Sequence, residues 1–330
     1  MSEDILGLGL ESSCDETAAS VVKNGNVILS NVIHSQIDIH REYYGVVPEI
    51  ASRAHLEVIN LLVDRALSEA GVKFEDLHYV ASTHRPGLIG SLLIALQSAK
   101  ALSFVLGIPL IGINHLEAHL YAPFLEGNHL SFPFIGLLVS GGNTAIYRVN
   151  GTGDLEEIGK TVDDAAGEAF DKVAKFLDIG YPGGPAIEKL AKTSSSRKVF
   201  FPRILPAGDD TRFSYSGIKT AVVNYMKQNP EADRADVVYS FQERAIDLLV
   251  RRVFSAARSQ GIRDIVVAGG VASNGRLREL LQEKKYDDEN IIIASPGLCT
   301  DNAAMIAGLG YHYYTRGIVN DLSLDVSARV

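Results

Sequence analysis

The sequence has no tryptophan and only two cysteines, Cys14 and Cys299, among its 330 residues. Two cysteines cannot form the disulfide framework of a small secreted protein, and we expect each to be a small buried apolar residue. Basic residues are also in deficit, because 31 Lys and Arg stand against 40 Asp and Glu and give a net charge of -9. This balance argues against a surface built wholly for nucleic acid, although it permits a local basic face.

The sequence also lacks the features of a targeted or membrane protein. Glu3 and Asp4 precede a short apolar run at the N-terminus, which has neither the basic region nor the apolar length of a signal peptide. No uncharged apolar segment of the sequence approaches the ~18 residues that a membrane span requires. We therefore expect a cytoplasmic protein that makes no membrane contact.

Glycine-rich loops follow several predicted strands, including residues 83–91, 140–142 and 269–274. Such loops bring backbone amides close to phosphates, and paired glycines let a flat ring lie against the backbone. The P-loop pattern and the Gly-x-Gly-x-x-Gly pattern of a first Rossmann strand are both missing. The loops therefore predict a nucleotide site that belongs to neither of these two kinds.

The two halves of the chain repeat one pattern. Residues 7–22 read as a strand, a Ser/Gly loop, a threonine and a second strand, and an Asn-Gly turn follows at 24–25. Residues 136–149 read in the same way and turn at 150–151. The length and an ordinary apolar content of 46% allow two domains with separate cores. We interpret the repeat as an internal duplication, which predicts an α/β fold of two similar domains with a nucleotide cleft between them.

We expect residues 1–128 to form the N-terminal domain and residues 129–302 the C-terminal domain. A last helix, expected over residues 303–330, is predicted to pack back on the first domain. The second domain should contain a basic insertion at about 181–220, where residues 192–219 have six Lys and Arg against two Asp and include four aromatic residues. Such a stretch suits single-stranded or loop RNA, and an ordinary surface insertion is an equal alternative.

His115 and His119 stand four residues apart in a segment, residues 114–120, that reads as a helix. Positions i and i+4 share one helix face, so both imidazoles could bind one metal ion with a third ligand from elsewhere. A bare pair of this kind is more often part of an ordinary half-buried helix, but the glycine-rich loops favour a site. Asp301 lies at a predicted strand-to-helix junction, where ligands usually gather.

A further predicted helix, residues 161–177, contains four carboxylates. Asp163, Asp164 and Glu168 are expected to lie on its solvated face, where they interact favourably with the helix N-terminus. Asp171 lies just ahead of the next glycine-rich loop. It is therefore the better candidate for contact with a ligand.

The layout resembles the actin, Hsp70 and sugar-kinase superfamily, in which two loops hold phosphates and a third holds adenosine. Five motifs occur in one order, at residues 11–17, 45–53, 114–119, 163–172 and 299–305. Together they resemble the family of catalytic subunits of tRNA N6-adenosine threonylcarbamoyltransferase, once described as O-sialoglycoprotein endopeptidases. Two further motifs resemble its bacterial and organellar TsaD branch, at residues 181–185 and 213–220.

The resemblance implies an acyltransferase that moves the threonylcarbamoyl group of threonylcarbamoyl-AMP to N6 of the adenosine 3′ to the anticodon of tRNAs. It implies one divalent metal ion, iron in preference to zinc, held by His115, His119 and Asp301. It also implies that an adenine nucleotide, threonylcarbamoyl-AMP or ATP, is bound by residues of the second domain: Leu138, Val139, Ser140, Gly141, Gly142, Asp171, Gly184 and Asn274. The implied partners are tRNA, a paralogous non-catalytic subunit, a small ATPase subunit and a synthase that supplies the donor. No catalytic base is implied.

Three other functions are alternatives. A metalloprotease is disfavoured because Glu117 lies two residues from each histidine and projects roughly 200° away from their face. A small-molecule kinase of the same superfamily would favour Mg²⁺, for which a His, His and Asp set is too soft. A non-catalytic scaffold subunit should have lost this set. The chain departs from the family pattern at Arg85, where glycine is usual, and at Asn143, where histidine is usual.

Overall fold

The computed structural model describes residues 4–128, 131–203 and 211–329. The strands are β1 (Leu6–Glu11), β2 (Glu16–Lys23), β3 (Val27–Ser35), β4 (Tyr79–Arg85), β5 (Leu110–Asn114), β6 (Phe134–Val139), β7 (Thr144–Gly151), β8 (Asp154–Lys160), β9 (Asp264–Ala268) and β10 (Asn290–Ile293). The helices are α1 (Ile37–His40), α2 (Pro48–Ala70), α3 (Ile89–Leu106), α4 (His115–Tyr121), α5 (Ala166–Phe176), α6 (Gly183–Ala191), α7 (Ser216–Gln228), α8 (Arg234–Ser259), α9 (Gly275–Lys284), α10 (Pro296–Cys299) and α11 (Ala303–Thr315).

The chain divides into two compact units, Met1–His129 with Thr300–Val330, and Leu130–Cys299. The first unit has a five-stranded sheet in the order β3-β2-β1-β4-β5, in which β1, β2 and β3 are antiparallel and β1, β4 and β5 are parallel. The second unit has the order β10-β9-β6-β7-β8 with the same directions, β6 taking the place of β1. The repeated strand order confirms the predicted duplicated α/β fold.

Strand β1 organises the first unit because its two faces differ. Leu8 and Leu10 point to one face and join a core formed with α2 and α3. Gly9 points to the other face, where α11 lies so close that a Cβ would overlap the Ala303 carbonyl oxygen. The approach of helix backbone to strand backbone fixes the start of α11. It therefore also fixes the residue two positions earlier, Asp301.

Helix α3 has the length and apolar composition of a membrane span, with a mean hydropathy of 1.7 over 18 residues. It contains one charged residue, Lys100, which interrupts the uncharged segment in the sequence. One third of this helix is buried inside the unit, where it packs on β4 and α2. A single helix of this kind is weak support for a span, because core helices meet the same criteria.

The expected helix over residues 303–330 is wrong beyond Thr315. Gly317 adopts a φ of +68°, and the Ile318 amide donates to the Tyr313 carbonyl (3.0 Å), which is how a glycine commonly ends a helix. The chain then runs back to the sheet edge. The unit boundary also differs from the expectation, because it falls before Thr300 rather than after residue 302.

Helix α5 starts later than the predicted helix over residues 161–177. The Ala166 amide donates to the Thr144 hydroxyl (2.8 Å), and this side chain takes the role of an N-terminal cap. Before it, the Thr161 hydroxyl donates to the Asp164 carbonyl (2.7 Å) and holds a turn rather than a helix. A local periodicity could not reveal a cap that another strand supplies.

The expected basic insertion at 181–220 is partly helical. It contains all of α6 and the first residues of α7. Of the segment between these two helices, residues 204–210 lie outside the described residues, and Asp209 and Asp210 are among them. Residues 192–203 are described and form neither helix nor strand.

Candidate functional site

Two histidines of the first unit lie on one face of α4. The helix follows β5 directly, and the side-chain oxygen of Asn114 caps it by accepting a hydrogen bond from the Leu116 amide (2.9 Å). His115 and His119 are one turn apart and only 8% and 1% exposed. Their ring centroids are 4.5 Å apart. The helix start therefore places both imidazoles side by side.

Asp301 joins the histidines from the far end of the chain. Its Oδ1 lies 3.0 Å from His119 Nε2 and 3.5 Å from His115 Nε2. The neighbouring Asn302 caps α11 by accepting a hydrogen bond from the Met305 amide (3.0 Å), which fixes the backbone beside Asp301. The ligand atoms of the three residues lie within 4.8 Å of one another, a spacing that could hold one metal ion.

Glu11, the last residue of β1, holds His115 from behind. Its Oε2 accepts from His115 Nδ1 (3.2 Å) and from the Thr83 hydroxyl, and its Oε1 accepts from the Ser13 amide (2.5 Å). The carboxylate is fully buried. A carboxylate on the second nitrogen of a metal-binding imidazole orients the ring and fixes its tautomer. Glu11 is a further residue of the site that the sequence motifs alone do not assign, and the signal for it is a carboxylate that ends an apolar strand.

Two carboxylates and one imidazole perturb one another in this cluster. Burial alone would lower the pKa of His115, but the charges of Asp301 and Glu11 outweigh it and raise the pKa to about 9. Burial alone would raise the pKa of Asp301, but the charge of His115 and the hydrogen bond from His119 bring the pKa down to about 2. The pKa of Glu11 is also lowered, mainly by His115 against the effect of burial. The cluster therefore favours a bound cation.

The donors fit a transition-metal ion. Two imidazole nitrogens and one carboxylate oxygen form the set that suits iron(II) or zinc(II), and three protein ligands leave positions open for a substrate. His119 Nδ1 is buried and has no hydrogen-bond partner among the described residues. Its ring is therefore oriented by packing and by its Nε2 contact with Asp301.

Glu117 does not serve as a base beside this cluster. Its Oε2 accepts a hydrogen bond from the Tyr313 hydroxyl (2.8 Å) on α11. The side chain is 6% exposed and therefore lies in the interior of the first unit. This contact agrees with the direction inferred from the helix period and gives no support to a metalloprotease.

The residues expected to contact the nucleotide lie in the second unit. Leu138 and Val139 are the last two residues of β6, and their side chains are fully buried. Ser140, Gly141 and Gly142 form the turn that follows, and a Cβ on either glycine would meet nothing within 4 Å. The turn is closed by the Ser140 amide, which donates to a backbone carbonyl across it (2.8 Å).

Two other glycines bring neighbouring loops against this turn. A Cβ at Gly269 would overlap the Val139 carbonyl, and a Cβ at Gly167 would overlap the Ser140 carbonyl. The Gly167 amide also donates to that Ser140 carbonyl (3.2 Å). The ends of β6 and β9 and the start of α5 therefore meet, so backbone amides from separate segments lie close to the turn.

Asp171 and Asn274, which are also expected to contact the nucleotide, form hydrogen bonds within the second unit. Asp171 Oδ1 accepts from the Gly183 amide (2.6 Å) at the start of α6, and a Cβ at Gly184 would meet nothing within 4 Å. Asn274 caps α9 through its Oδ1, which accepts from the Leu277 amide (3.1 Å). These contacts give both polar side chains a role in holding helix starts.

Asp163 is exposed, as expected, whereas Asp164 is half-buried, and both residues lie ahead of α5 rather than on it. Asp163 accepts hydrogen bonds from the amides of Tyr215 (2.7 Å) and Ser216 (3.3 Å) at the start of α7. Burial acts to raise the pKa of Asp163, but these and neighbouring hydrogen bonds lower it overall. Asp164 forms ion pairs with two lysines of α5 and α7. Residues at or near the start of α7 thus contribute to both environments.

The two cysteines differ in burial. Cys299 is fully buried, as expected, and its Sγ donates to the Ala294 carbonyl (3.1 Å). Cys14 is only half-buried, because it lies in the loop after β1 rather than inside the strand. Burial and the neighbouring charge of Asp15 raise the pKa of the Cys14 thiol well above its ordinary value, so it is no ready nucleophile.

The fold resembles two solved structures of low sequence identity. The (R)-2-hydroxyglutaryl-CoA dehydratase component A of Acidaminococcus fermentans matches with a TM-score of 0.55 at 16% identity, covering 95% of this chain and all of that one. HypF from T. kodakarensis matches with a TM-score of 0.64 at 14% identity, covering 96% of this chain and 48% of that one. Identities this low show a shared fold and no shared activity.

Sequence comparison gives a closer relationship. The sequence profile of the TsaD family, tRNA N6-adenosine threonylcarbamoyltransferase, matches residues 27–308. A tRNA N6-adenosine threonylcarbamoyltransferase of Clostridium beijerinckii is 50% identical over 323 residues, which cover 96% of this chain and 95% of that protein. With this match over nearly its whole length, and with the histidines and aspartate of its first unit gathered in one cluster, the chain belongs to the TsaD family of tRNA N6-adenosine threonylcarbamoyltransferases.

Proposed function

We propose that this chain transfers the threonylcarbamoyl group of threonylcarbamoyl-AMP to N6 of the adenosine 3′ to the anticodon of tRNAs. The carbamoyl carbon exchanges its bond to the phosphate oxygen for a bond to N6, N6 loses a proton, and AMP leaves. The observation that carries the proposal is the cluster of His115, His119 and Asp301 in a chain of this family. No described feature favours a kinase or a scaffold subunit over this activity.

The metal ion of the proposal is iron(II) in preference to zinc(II). His115 and His119 would hold it through nitrogen and Asp301 through oxygen. Such an ion, when bound, polarises a carbonyl or neutralises a leaving phosphate. The contribution of Glu11 is to hold His115 in one orientation and, once the ring is neutral, in the tautomer whose Nε2 is directed at the site.

The nucleotide part of the proposal uses the second unit. The turn of Ser140, Gly141 and Gly142 has room for phosphate oxygens, because a Cβ at either glycine would meet nothing within 4 Å. Backbone amides in such a turn donate to anions without the cost of ordering side chains. Asp171 and Asn274 would contact the nucleoside from the positions at which they hold the starts of α6 and α9.

The amine of adenosine is the difficult reactant, because its lone pair is delocalised into the purine ring. The chain can therefore contribute most by activating the acyl carbon and by holding the amine against it. We assign no side chain as the base that takes the N6 proton. The proposal includes a cytoplasmic location, supply of the donor by a separate synthase, and cooperation with a paralogous subunit and a small ATPase.

The experiment uses the purified chain, the synthase, labelled threonine, bicarbonate, ATP and unmodified tRNA, with and without the two partner subunits. Label should enter tRNA with the wild-type chain and should be lost with His115→Ala. His34→Ala is the matched control, since it removes a half-buried histidine from the edge strand β3 and should retain activity. Absence of label with the wild-type chain and all partners would refute the proposed activity.

A further inference from the structure

The segment of residues 194–203 crosses the surface of the second unit without forming a helix or a strand. It contains three exposed cations, Arg197, Lys198 and Arg203, in a chain whose overall charge is -9. The sequence leaves two interpretations of such a segment equally open: an RNA surface and an ordinary insertion. The two differ in a testable physical property, because an RNA surface gains from being held in one conformation before it binds.

One face of α8 holds the first part of the segment. Asp236, Ser240 and Arg244 are spaced four residues apart, so their side chains line one side of that helix. Asp236 Oδ1 accepts from the Ser194 hydroxyl (2.6 Å) and from the Ser196 amide (3.3 Å). The Asp236 carboxylate thus forms its hydrogen bonds with a hydroxyl and a backbone amide of the segment, while the charge of Lys198 interacts with it electrostatically.

The same helix face holds the second part of the segment. The Ser240 hydroxyl accepts from the amides of both Phe200 (2.9 Å) and Phe201 (3.0 Å). Arg244 Nε donates to the Phe201 carbonyl (2.7 Å). Three side chains of one helix therefore fix the backbone at both ends of the exposed cations, although the segment has no regular structure of its own.

This anchoring sustains an uncommon backbone conformation at Arg197. Its φ is +46°, a region that residues with a Cβ rarely adopt, and its amide donates to the Ser194 hydroxyl (3.1 Å). Arg197 and Lys198 are both exposed. Neither has an ion-pair partner within 4 Å in the described part of the chain, whereas Lys192 is paired with Glu188 (2.8 Å).

An aromatic ring lies beside these two cations. Phe200 is 39% exposed, and its ring is supported by Phe201 and by Tyr225 of α7, each with a centroid distance of 4.6 Å. Phe201 is buried and fixes the pair to the core. Phe200 is thus held in place by two neighbouring rings and remains partly exposed beside the cations.

We propose that residues 194–203 bind the tRNA substrate, with Arg197 and Lys198 on backbone phosphates and Phe200 stacked on an unpaired base. Fixed cations next to a supported ring match what single-stranded or loop RNA offers, which is closely spaced phosphates and exposed bases. An acidic protein would satisfy the cations but would leave the ring without a matching partner. The proposal rests on the proposed function for the identity of the RNA.

The test of the cations is a binding measurement with the full metal-loaded chain and an unmodified, fluorescently labelled tRNA transcript. Arg197→Gln with Lys198→Gln removes two positive charges without shortening the segment. Lys284→Gln with Lys285→Gln is the matched control, since it removes two adjacent exposed charges from the same unit. Loss of two phosphate contacts at 0.15 M salt should weaken binding roughly ten- to thirtyfold and reduce the salt slope by about 1.5 to 2.

The test of the ring compares Phe200→Leu with Phe176→Leu, which replaces an aromatic side chain that is 44% exposed on α5. Phe200→Leu should weaken binding roughly tenfold with an unchanged salt slope, because a stacked base carries no charge. Phe176→Leu should change binding less than twofold. Circular dichroism and thermal unfolding of each variant distinguish lost contacts from lost structure.

The outcomes separate this proposal from the proposed function. The RNA surface would be overturned if the two Gln pairs weakened binding equally. It would also be overturned if Arg197→Gln with Lys198→Gln bound tRNA with wild-type affinity, and an acidic protein would then be the remaining candidate partner for residues 194–203. Transfer activity in which these variants raise KM for tRNA and leave kcat unchanged supports both proposals. If these variants specifically lose tRNA binding but the wild-type chain transfers nothing, the result supports the surface and refutes the activity.

Discussion

Metal binding to the cluster of His115, His119 and Asp301 should depend steeply on pH. Against the effect of burial, the charges of Asp301 and Glu11 raise the pKa of His115 to about 9 in the metal-free chain. A metal ion binds only the neutral imidazole, so below that pH it must displace a proton. We predict that metal affinity rises with pH and reaches a plateau above a pH of about 9.

The size of the effect follows from one displaced proton. Each pH unit below the pKa costs a factor of ten in affinity, or about 1.36 kcal/mol. At pH 7 the affinity should therefore be roughly a hundredfold, or about 2.7 kcal/mol, below its plateau. Asp301 adds nothing to this slope, because its pKa of about 2 keeps it ionised throughout.

Competition with a chromophoric chelator, calibrated at each pH, measures the affinity of the metal-free chain for zinc(II) or cobalt(II). Calorimetry at pH 7 in two buffers of different ionisation enthalpy counts the protons released, and we expect about one from His115. Glu11→Gln removes a charge that raises the pKa of His115, so the plateau should begin at a lower pH. His34→Ala should retain the wild-type profile.

An affinity that stays constant between pH 7 and 9, with no proton released, would refute the reasoning. It would mean that His115 is already neutral in the folded chain and that the two carboxylates do not outweigh its burial. A slope of two decades per pH unit would mean that a second ligand also exchanges a proton with the metal ion.

Glu11→Gln should weaken metal binding roughly ten- to a hundredfold, because His115 loses the carboxylate that orients it. The measurement is made at pH 9.5, where protons compete little with the metal ion. An unchanged affinity in the chelator assay would exclude the orienting role of Glu11. Gly9→Ala should cost roughly 1–3 kcal/mol in urea unfolding and lower metal affinity, because its Cβ overlaps the Ala303 carbonyl. Gly217→Ala, whose Cβ meets nothing within 4 Å, should leave both unchanged or raise stability. The metal-free chain should lose at most about 3 kcal/mol of stability as the pH rises from 6.5 through 9, since a raised pKa stabilises the fold only while His115 is protonated. A constant urea midpoint over that range would contradict this pKa.

The fold could be predicted from the sequence because its determinants are local and occur twice. The sequence of each half predicts a strand, a polar loop and a second strand that ends at an Asn-Gly turn. In the structure the two sheets repeat one strand order. The end of α11 could be located too, since Gly317 is a typical helix stop, but the apolar pattern was extended past it. Glycines therefore mark both the duplication and the places where the prediction of helix length failed.

The metal cluster could be predicted only in part. The helix period brings His115 and His119 together without any tertiary information. Asp301 lies 182 positions after His119, and only the family resemblance named it as a ligand. Its position depends on Gly9, which lets α11 approach β1, and nothing in the local sequence links a glycine in a strand to an aspartate before a distant helix.

Polar contacts between distant segments could not be predicted from the local pattern. Asp163 lies on a predicted helix face, but its oxygens accept from amides 52 and 53 positions later. The same kind of contact separates the two interpretations of residues 194–203. In the sequence, Asp236 and Ser240 are only two positions on one helix face, whereas in the structure they hold the segment that displays Arg197. Because such anchoring keeps the cations in one conformation before binding, it favours a docking surface over an ordinary insertion, and composition alone carries no information about it.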